Sequence, residues 1–338
     1  MFGYLVKRLI LAAFTLLTIL LVSYVLLRLA PGDPTRSDLF SSDAAMTAVN
    51  AEEGAFRQNR SMREALNLDK PILVGFGLWL RDVVRDGDFG VSASVDPGRP
   101  VTDLILERLP VTVTLNFWAV VLTYLLAIPI GVYAAVYAGS WFDQLSAFLL
   151  FVLYSLPVMW VGLLLQALLC EGGRWELFPL KGVVPANLDE LSTWQLQFEI
   201  IRHYTLPVFC LAYGGFAGLS RYARSGMLDV IHSDFIRTAR AKGLPEPLVI
   251  WRHAFRNGLI TLITLFGGLL PSLVAGSVIV EYIFNISGMG SLSLLALSSR
   301  DYPLQMALFA FAGMLTLAGI FISDMLYLAA DPRIKLSR

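Results

Sequence analysis

Three histidines, two cysteines and two acids beside apolar runs are the residues of this 338-residue chain whose types could carry chemistry. His203, His232 and His253 do not pair at the spacing of a helical metal site, and two of them share one loop, so no metal is expected. Cys170 and Cys210 lie in or beside apolar stretches, which excludes a disulfide-dense scaffold and a four-cysteine zinc site and leaves a single disulfide open. Glu281 and Asp324 stand at or near the ends of uncharged runs, where an acid is a functional candidate by default. Glu281 leans toward a structural or gating role, whereas Asp324 is balanced between helix packing and solvation. No Gly-x-x-x-x-Gly-Lys-Ser/Thr loop is present, so the chain does not cradle ATP phosphates by that route. No apolar run pairs a nucleophile with a base at its middle, which argues against an intramembrane hydrolase.

The elements that hold these residues follow from composition. Apolar residues make up 56% and charged residues 15%, against about 45–50% and about 25% in soluble domains. Lys plus Arg and Asp plus Glu both number 26, so no global basic field exists to hold nucleic acid. Six runs carry no Asp, Glu, Lys or Arg: Leu9–Leu27, Val111–Ala138, Gln144–Cys170, His203–Ser220, Gly258–Val280 and Tyr302–Ser323. Each approaches the roughly 20 residues that cross a bilayer core as helix, and continuous runs of this length do not suit a membrane barrel. The sequence therefore predicts an all-α integral membrane protein with six transmembrane helices. Lys7 and Arg8 precede the first run, but Arg28-Leu29-Ala30-Pro31 offers no cleavage site, so an uncleaved helix is expected. With the N-terminus in the cytoplasm, the inner side carries 12 Lys and Arg residues and the short outer loops only Arg174, Lys181, Arg202 and Arg300. Both termini are then cytoplasmic. The 139–143 connection is the weak point, since it should be inside and has no basic residue.

Three regions result: a first helix in 1–30, an extracytoplasmic segment in 31–107, and a five-helix core in 108–331. In the outer segment, Ser41–Asn59 is expected to be loosely ordered, while Leu66 to Val84 has the pattern of a helix or two with an apolar face, ending at Asp86-Gly87-Asp88. A structural cap over the outer mouth is favoured there over direct contact with a substrate. Pro129 and Pro157 should kink the second and third spans. Asn116 and Gln166 should hydrogen-bond between helices, and Gly214, Gly215, Gly218, Gly267 and Gly268 should allow close helix approach. The loop 221–257 carries seven basic and three acidic residues. Asp234 can cap a short helix through Lys242, with Gly243 as its stop and Pro245 and Pro247 barring continuation. A second helix should run from about Leu248 into the fifth span. Topology bias and headgroup contact account for the charge, but not for a short capped helix interleaving Thr238, Ala239 and Ala241, which suits insertion into a partner's groove.

The run Asp234-Phe235-Ile236-Arg237-Thr238-Ala239-Arg240-Ala241-Lys242-Gly243-Leu244 resembles the cytoplasmic coupling motif of permease subunits of binding-protein-dependent ABC importers, specifically the dipeptide, oligopeptide and nickel class. Further matches follow in order: Pro31-Gly32-Asp33-Pro34, Leu68-Asp69-Lys70-Pro71, Gly87-Asp88-Phe89-Gly90-Val91-Ser92, Arg108-Leu109-Pro110-Val111-Thr112, Glu281-Tyr282-Ile283-Phe284, Arg300-Asp301-Tyr302-Pro303 and Asp331-Pro332-Arg333-Ile334. Each is weak singly, but together they span residues 31 to 334 on a six-span chain. Three departures stand out: Thr238-Ala239-Arg240 replaces Glu-Ala-Ala, as is usual for peptide-class permeases, and Thr261 and Ser287 replace prolines common in relatives.

The resemblance implies a type I ABC importer permease fold in the bacterial inner membrane, with an outer-side segment between helices 1 and 2. This chain would form half of a pore that imports peptides or peptide-like solutes, completed by a homologous second permease as a heterodimer. Two ABC ATPase subunits would bind ATP and Mg, leaving this chain non-catalytic and without a cofactor, and an extracytoplasmic solute-binding protein would deliver substrate. Phe235, Ile236, Arg237, Thr238, Ala239, Arg240, Ala241, Lys242 and Gly243 would be the ATPase-coupling residues, with Asp234 as a cap. Glu281, Asp324, Gly288 and Gly290 are the structural or gating candidates. Alternatives are a permease for nickel chelates or another non-peptide solute, or a stand-alone secondary transporter, whose inverted repeats and mid-span charges are not visible.

Overall fold

The computed structural model describes residues 2–29, 67, 69–185, 191–258, 272–273 and 276–330. Its regular elements are helical: α1 (Phe2–Leu29), α2 (Ile72–Asp86), α3 (Val101–Val136), α4 (Trp141–Ser155), α5 (Val158–Leu169), α6 (Thr193–Ile231), α7 (Asp234–Ala241), α8 (Val278–Ile283), α9 (Met289–Ser298) and α10 (Tyr302–Ala330). A helical turn Glu246–Leu248 and a π-helical turn Val249–Ala254 follow α7. The chain divides into two compact units, residues 1–109 with 292–317, and residues 110–291 with 318–338.

In the first unit Leu20 and Tyr24 of α1, Phe76 of α2, and Met306 and Ala310 of α10 form one apolar cluster. Helix α2 is the amphipathic element expected from Leu66 to Val84. Its left-handed stop at Gly87, φ +66°, returns the chain so that the Asp88 amide donates to the Asp82 carbonyl. The stretch Ser41–Asn59 lies outside the described residues.

In the second unit α3, α4, α5, α6 and α8 share a core that includes Leu115, Leu150, Val161, Tyr213, Phe216 and Phe284. Pro157 does more than kink its span. Leu156 is extended (φ −80°, ψ +126°), as a residue before proline prefers, and α4 and α5 meet at 93° across the break. Pro110, Pro129 and Pro207, by contrast, sit inside continuous helices. Asn116 and Gln166 make the expected bonds, donating to the Leu273 carbonyl (3.1 Å) and the Ile283 carbonyl (2.8 Å).

Among the described residues, three helices are long and apolar enough to cross a bilayer: Val6–Leu29, Val101–Val136 and Tyr302–Ile322. The bent pair α4–α5 makes a fourth if it counts as one span. The run His203–Ser220 falls within α6, whose 39 residues suffice in length but whose glycines, tyrosines and His203 dilute its apolarity. Much of that helix is buried, Ala212, Tyr213, Phe216 and Ala217 among others, so it faces protein over much of its surface. Most of the run Gly258–Val280 lies outside the described residues.

The glycines divide differently from expectation. Only Gly215 of the α6 set stands at a close approach, where an added Cβ would sit 3.0 Å from Thr123 Cγ2, while Gly214 and Gly218 have open space. Gly267 and Gly268 lie outside the described residues. Among the described residues the tightest crossing belongs to Gly131 of α3, whose Cβ would press on the Ser220 carbonyl and come within 2.8 Å of Ala223 Cβ.

Candidate functional site

Helix α7 presents two faces. Ile236 (0% exposed) and Ala239 (8%) point inward three residues apart, as one stripe of a helix requires. They pack with Val132 and Ala135 of α3, Met227 of α6, and Val249, Ile250 and Ala254 of the π-helical turn. Phe235, Arg237, Thr238, Arg240, Ala241, Lys242 and Gly243 are exposed. The inner stripe fixes the helix to the bundle and leaves an outer face of one aromatic ring, three cations and small residues.

Both ends of α7 are set by identifiable groups, and the start corrects the sequence reading. The cap position is Ser233, not Asp234. The Ser233 hydroxyl donates back to the Val230 carbonyl (2.6 Å), closing α6, and is not used to cap α7. Asp234 is the first helical residue, exposed, and its carboxylate stands 3.7 Å from Arg237, where it complements the positive helix end. At the other end Gly243 has φ +77°, its N–H donates to the Arg240 carbonyl (2.9 Å), and the Leu244 N–H donates to the Ala239 carbonyl (3.4 Å). This is the paired-bond helix stop that a left-handed glycine permits. Arg240 then bridges to Glu246 with Nη2–Oε1 at 2.7 Å, an exposed pair that ties the helix to the turn after it and raises the Arg240 pKa through the side-chain hydrogen bond. The helix expected from about Leu248 begins two residues earlier and passes through the π-helical turn.

Of the two acid candidates, Glu281 sits in a buried cradle. Glu281 of α8 is 2% exposed. Its Oε1 accepts from Thr112 Oγ1 (3.2 Å) and its Oε2 from the Ser291 N–H (2.7 Å), while Thr112 Oγ1 accepts from the Met289 N–H (2.8 Å). Gly288 and Gly290 pack so closely here that a Cβ at Gly288 would lie 2.7 Å from the Glu281 carboxyl carbon and one at Gly290 2.7 Å from the Val278 nitrogen. Glu281, Gly288 and Gly290 thus belong to one site, joined by Thr112 and Ser291. The Asp324 side chain lies outside the described residues.

Asp301, quoted within a motif but given no role by sequence reasoning, is a second buried acid with several donors. It is 0% exposed. Its Oδ2 accepts from Ser92 Oγ and from the backbone N–H groups of Ala93, Ser94 and Val95 at 3.0, 3.0 and 3.1 Å, and its Oδ1 accepts from the Leu304 N–H at 3.2 Å. Five donors thus converge on one buried carboxylate. The pairing of Ser92 with Asp301 spans 209 positions, so only the turn residues around each hinted at it.

The comparisons place the chain in one family of transport permeases. Residues 127–336 match the family model described as binding-protein-dependent transport system inner membrane component, and residues 1–116 match its N-terminal companion. The chain belongs to this family and is a multi-pass membrane permease subunit. It is 38% identical over 335 residues to the oligopeptide transport system permease protein AppB of Bacillus subtilis, covering 99% of this chain and 100% of that one. It is 32% identical over 363 residues to the peptidoglycan transport system permease protein YejB of Agrobacterium fabrum, with 99% of each covered. The dipeptide transport system permease protein DppB of Alkalihalophilus pseudofirmus is 30% identical over 353 residues, with coverage of 99% and 100%.

Proposed function

We propose that this chain forms half of the translocation pathway of an ATP-driven importer for peptides or peptide-like solutes in the bacterial inner membrane. The observation that carries the proposal is full-length similarity to permeases named for oligopeptide, dipeptide and peptidoglycan transport, joined to the exposed outer face of α7. The chain itself is non-catalytic. Two ABC ATPase subunits supply ATP and Mg binding, a homologous second permease supplies the other half-pore, and an extracytoplasmic binding protein delivers the solute. The basic-residue count supports cytoplasmic termini. Six spans and an outer segment at 31–107 complete the organisation, with 221–257 as the coupling loop.

In this reading the outer face of α7 enters a groove on an ATPase subunit. Phe235 supplies apolar contact, and Arg237, Arg240 and Lys242 supply charge. Ile236 and Ala239 transmit displacement into α3 and α6 through the buried cluster they share, Thr238 and Ala241 keep the surface small, and Gly243 ends the helix. Glu281 with Gly288 and Gly290 is a gating or structural cradle in the core. A wide, sparsely polar pathway suits peptides of varied side chain, with specificity set mainly by the binding protein. The test is uptake of labelled trialanine by proteoliposomes holding the whole complex. ATP-dependent uptake supports the reading, and uptake that proceeds without ATP overturns it.

A further inference from the structure

The charge missing from the 139–143 connection is supplied from a distant part of the sequence. Asp143, in the first turn of α4, receives two parallel bonds from Arg224 of α6: Nε to Oδ1 and Nη2 to Oδ2, both 2.8 Å. The partners stand 81 positions apart, unlike the other ion pairs seen among the described residues of their unit, Glu199–Arg202, Asp234–Arg237 and Arg240–Glu246, which are local. Asp143 Oδ2 also accepts from the Gly139 N–H (2.9 Å), and Ser140 caps α4 by accepting from the Asp143 N–H. One carboxylate therefore fixes the turn after α3, the start of α4 and the side of α6. The Asp143 side chain is 10% exposed and Arg224 36%, so bulk water screens the pair only in part.

The same end of the bundle is closely packed as well. Gly131 of α3 lies against Ser220, Ala223 and Arg224 of α6. Ile236 and Ala239 of α7 are embedded with α3 and α6 residues in one cluster, which contains no α4 residue. A push on α7 thus reaches α3 and α6 by direct apolar contact. It reaches α4 through the Asp143–Arg224 bond at the helix start and, farther along, through the apolar core that α4 shares with α6, and beyond α4 lies the 93° break into α5.

We propose that Asp143 and Arg224 are positioning residues for transport, a clasp that makes α4 move with α3 and α6 so that displacement of α7 is delivered to the α4–α5 bend. The proposal rests on the coupling role of α7. Distances between spin labels on Tyr222→Cys of α6 and Leu149→Cys of α4, both exposed positions, test it in the assembled complex. The native Cys170 and Cys210 are free and buried, so the introduced thiols are the ones labelled. With the clasp intact, the distance distribution is narrow and identical in the nucleotide-free and ATP-trapped complexes. With Asp143→Ala or Arg224→Ala it broadens and shifts on ATP trapping, while ATP hydrolysis stimulated by the binding protein falls to the basal rate. Arg224→Lys, which keeps charge but cannot make two parallel bonds, recovers part of both. Should the single variants fail to assemble, the double alanine variant leaves no charge unpaired and carries the same expectation. Distributions in the variants as narrow and as still as in the parent, or stimulation left intact, overturn the proposal. A parent complex that lacks ATPase subunits overturns the coupling role of α7 instead, an outcome read from composition alone.

Discussion

Replacing Asp301 with alanine removes the acceptor on which the 92–95 turn is built. Five donors lose their partner: Ser92 Oγ and the N–H groups of Ala93, Ser94, Val95 and Leu304. Ser94 is exposed and Val95 partly so, and water can take over those two. Ser92, Ala93 and Leu304 are buried, and each buried donor left unpaired costs about 1–3 kcal/mol. Local relaxation brings the three together to about 3–5 kcal/mol. Asp301→Asn is milder. Its amide oxygen can face the four donors around Ser92, leaving its NH2 against the Leu304 N–H, for a loss of about 1–2 kcal/mol. Thermal unfolding of the detergent-purified protein, followed by far-ultraviolet circular dichroism, should place Asp301→Ala roughly 5–15 °C below the parent, with Asp301→Asn between them. An alanine variant melting within about 1 °C of the parent would refute the argument that Asp301 organises this turn.

At Gly243 a Cβ meets no atom within 4 Å, so Gly243→Val costs only backbone strain, about 1–2 kcal/mol at φ +77°. Solute moved per ATP hydrolysed should drop in Gly243→Val and drop less in Gly243→Asn, and an unchanged ratio would remove Gly243 as the functional stop of α7. Gly131→Leu should destabilise by about 1–3 kcal/mol in a melting experiment, because its side chain must part α3 from α6. Gly214→Ala, placed in open space within α6, should be neutral or slightly stabilising. The Arg224 hydrogen bond, aided by the Gly139 N–H and opposed by burial, holds the Asp143 carboxyl below the usual carboxylate range. A lowered folded-state pKa stabilises above the unfolded value of about 3.9 and loses that stabilisation as pH falls through the folded value. The melting difference between the parent and Arg224→Ala should therefore be constant from about pH 8 to 5 and shrink below about pH 4. A difference that persists undiminished in acid would exclude the ion pair as its source.

Local features were legible where one segment determines them. The Gly243 stop, the Gly87 stop, the amphipathic pattern of α2 and the extended residue before Pro157 each follow from a few neighbouring residues. The start of α7 was misread because Ser233 and Asp234 are both good cap residues, and the choice turned on whether the Ser233 hydroxyl served α7 or closed α6. The glycines misled for a related reason. A glycine marks a place where close approach is allowed, and only the neighbouring helix decides whether it is used, as at Gly131 and Gly215 but not at Gly214. Span counting by uncharged runs located α6 but not its length, because Glu199, Arg202, Arg221 and Arg224 lie within the continuous helix Thr193–Ile231. The Glu281 cradle was half visible, the acid and two glycines being quoted in motifs, yet Thr112 joins them from 169 positions away. Asp301 with Ser92, and Asp143 with Arg224, are contacts of the same long-range kind.

Coupling to ATP requires that α7 be the surface that meets an ATPase. A mild-detergent pull-down of the tagged chain from its native host, with mass spectrometry of what accompanies it, tests this most directly. Two ATPase polypeptides, or one in two copies, together with a second permease, are the expected companions. Recovery of the chain alone or only with itself, in a form that moves solute without ATP, would contradict the account.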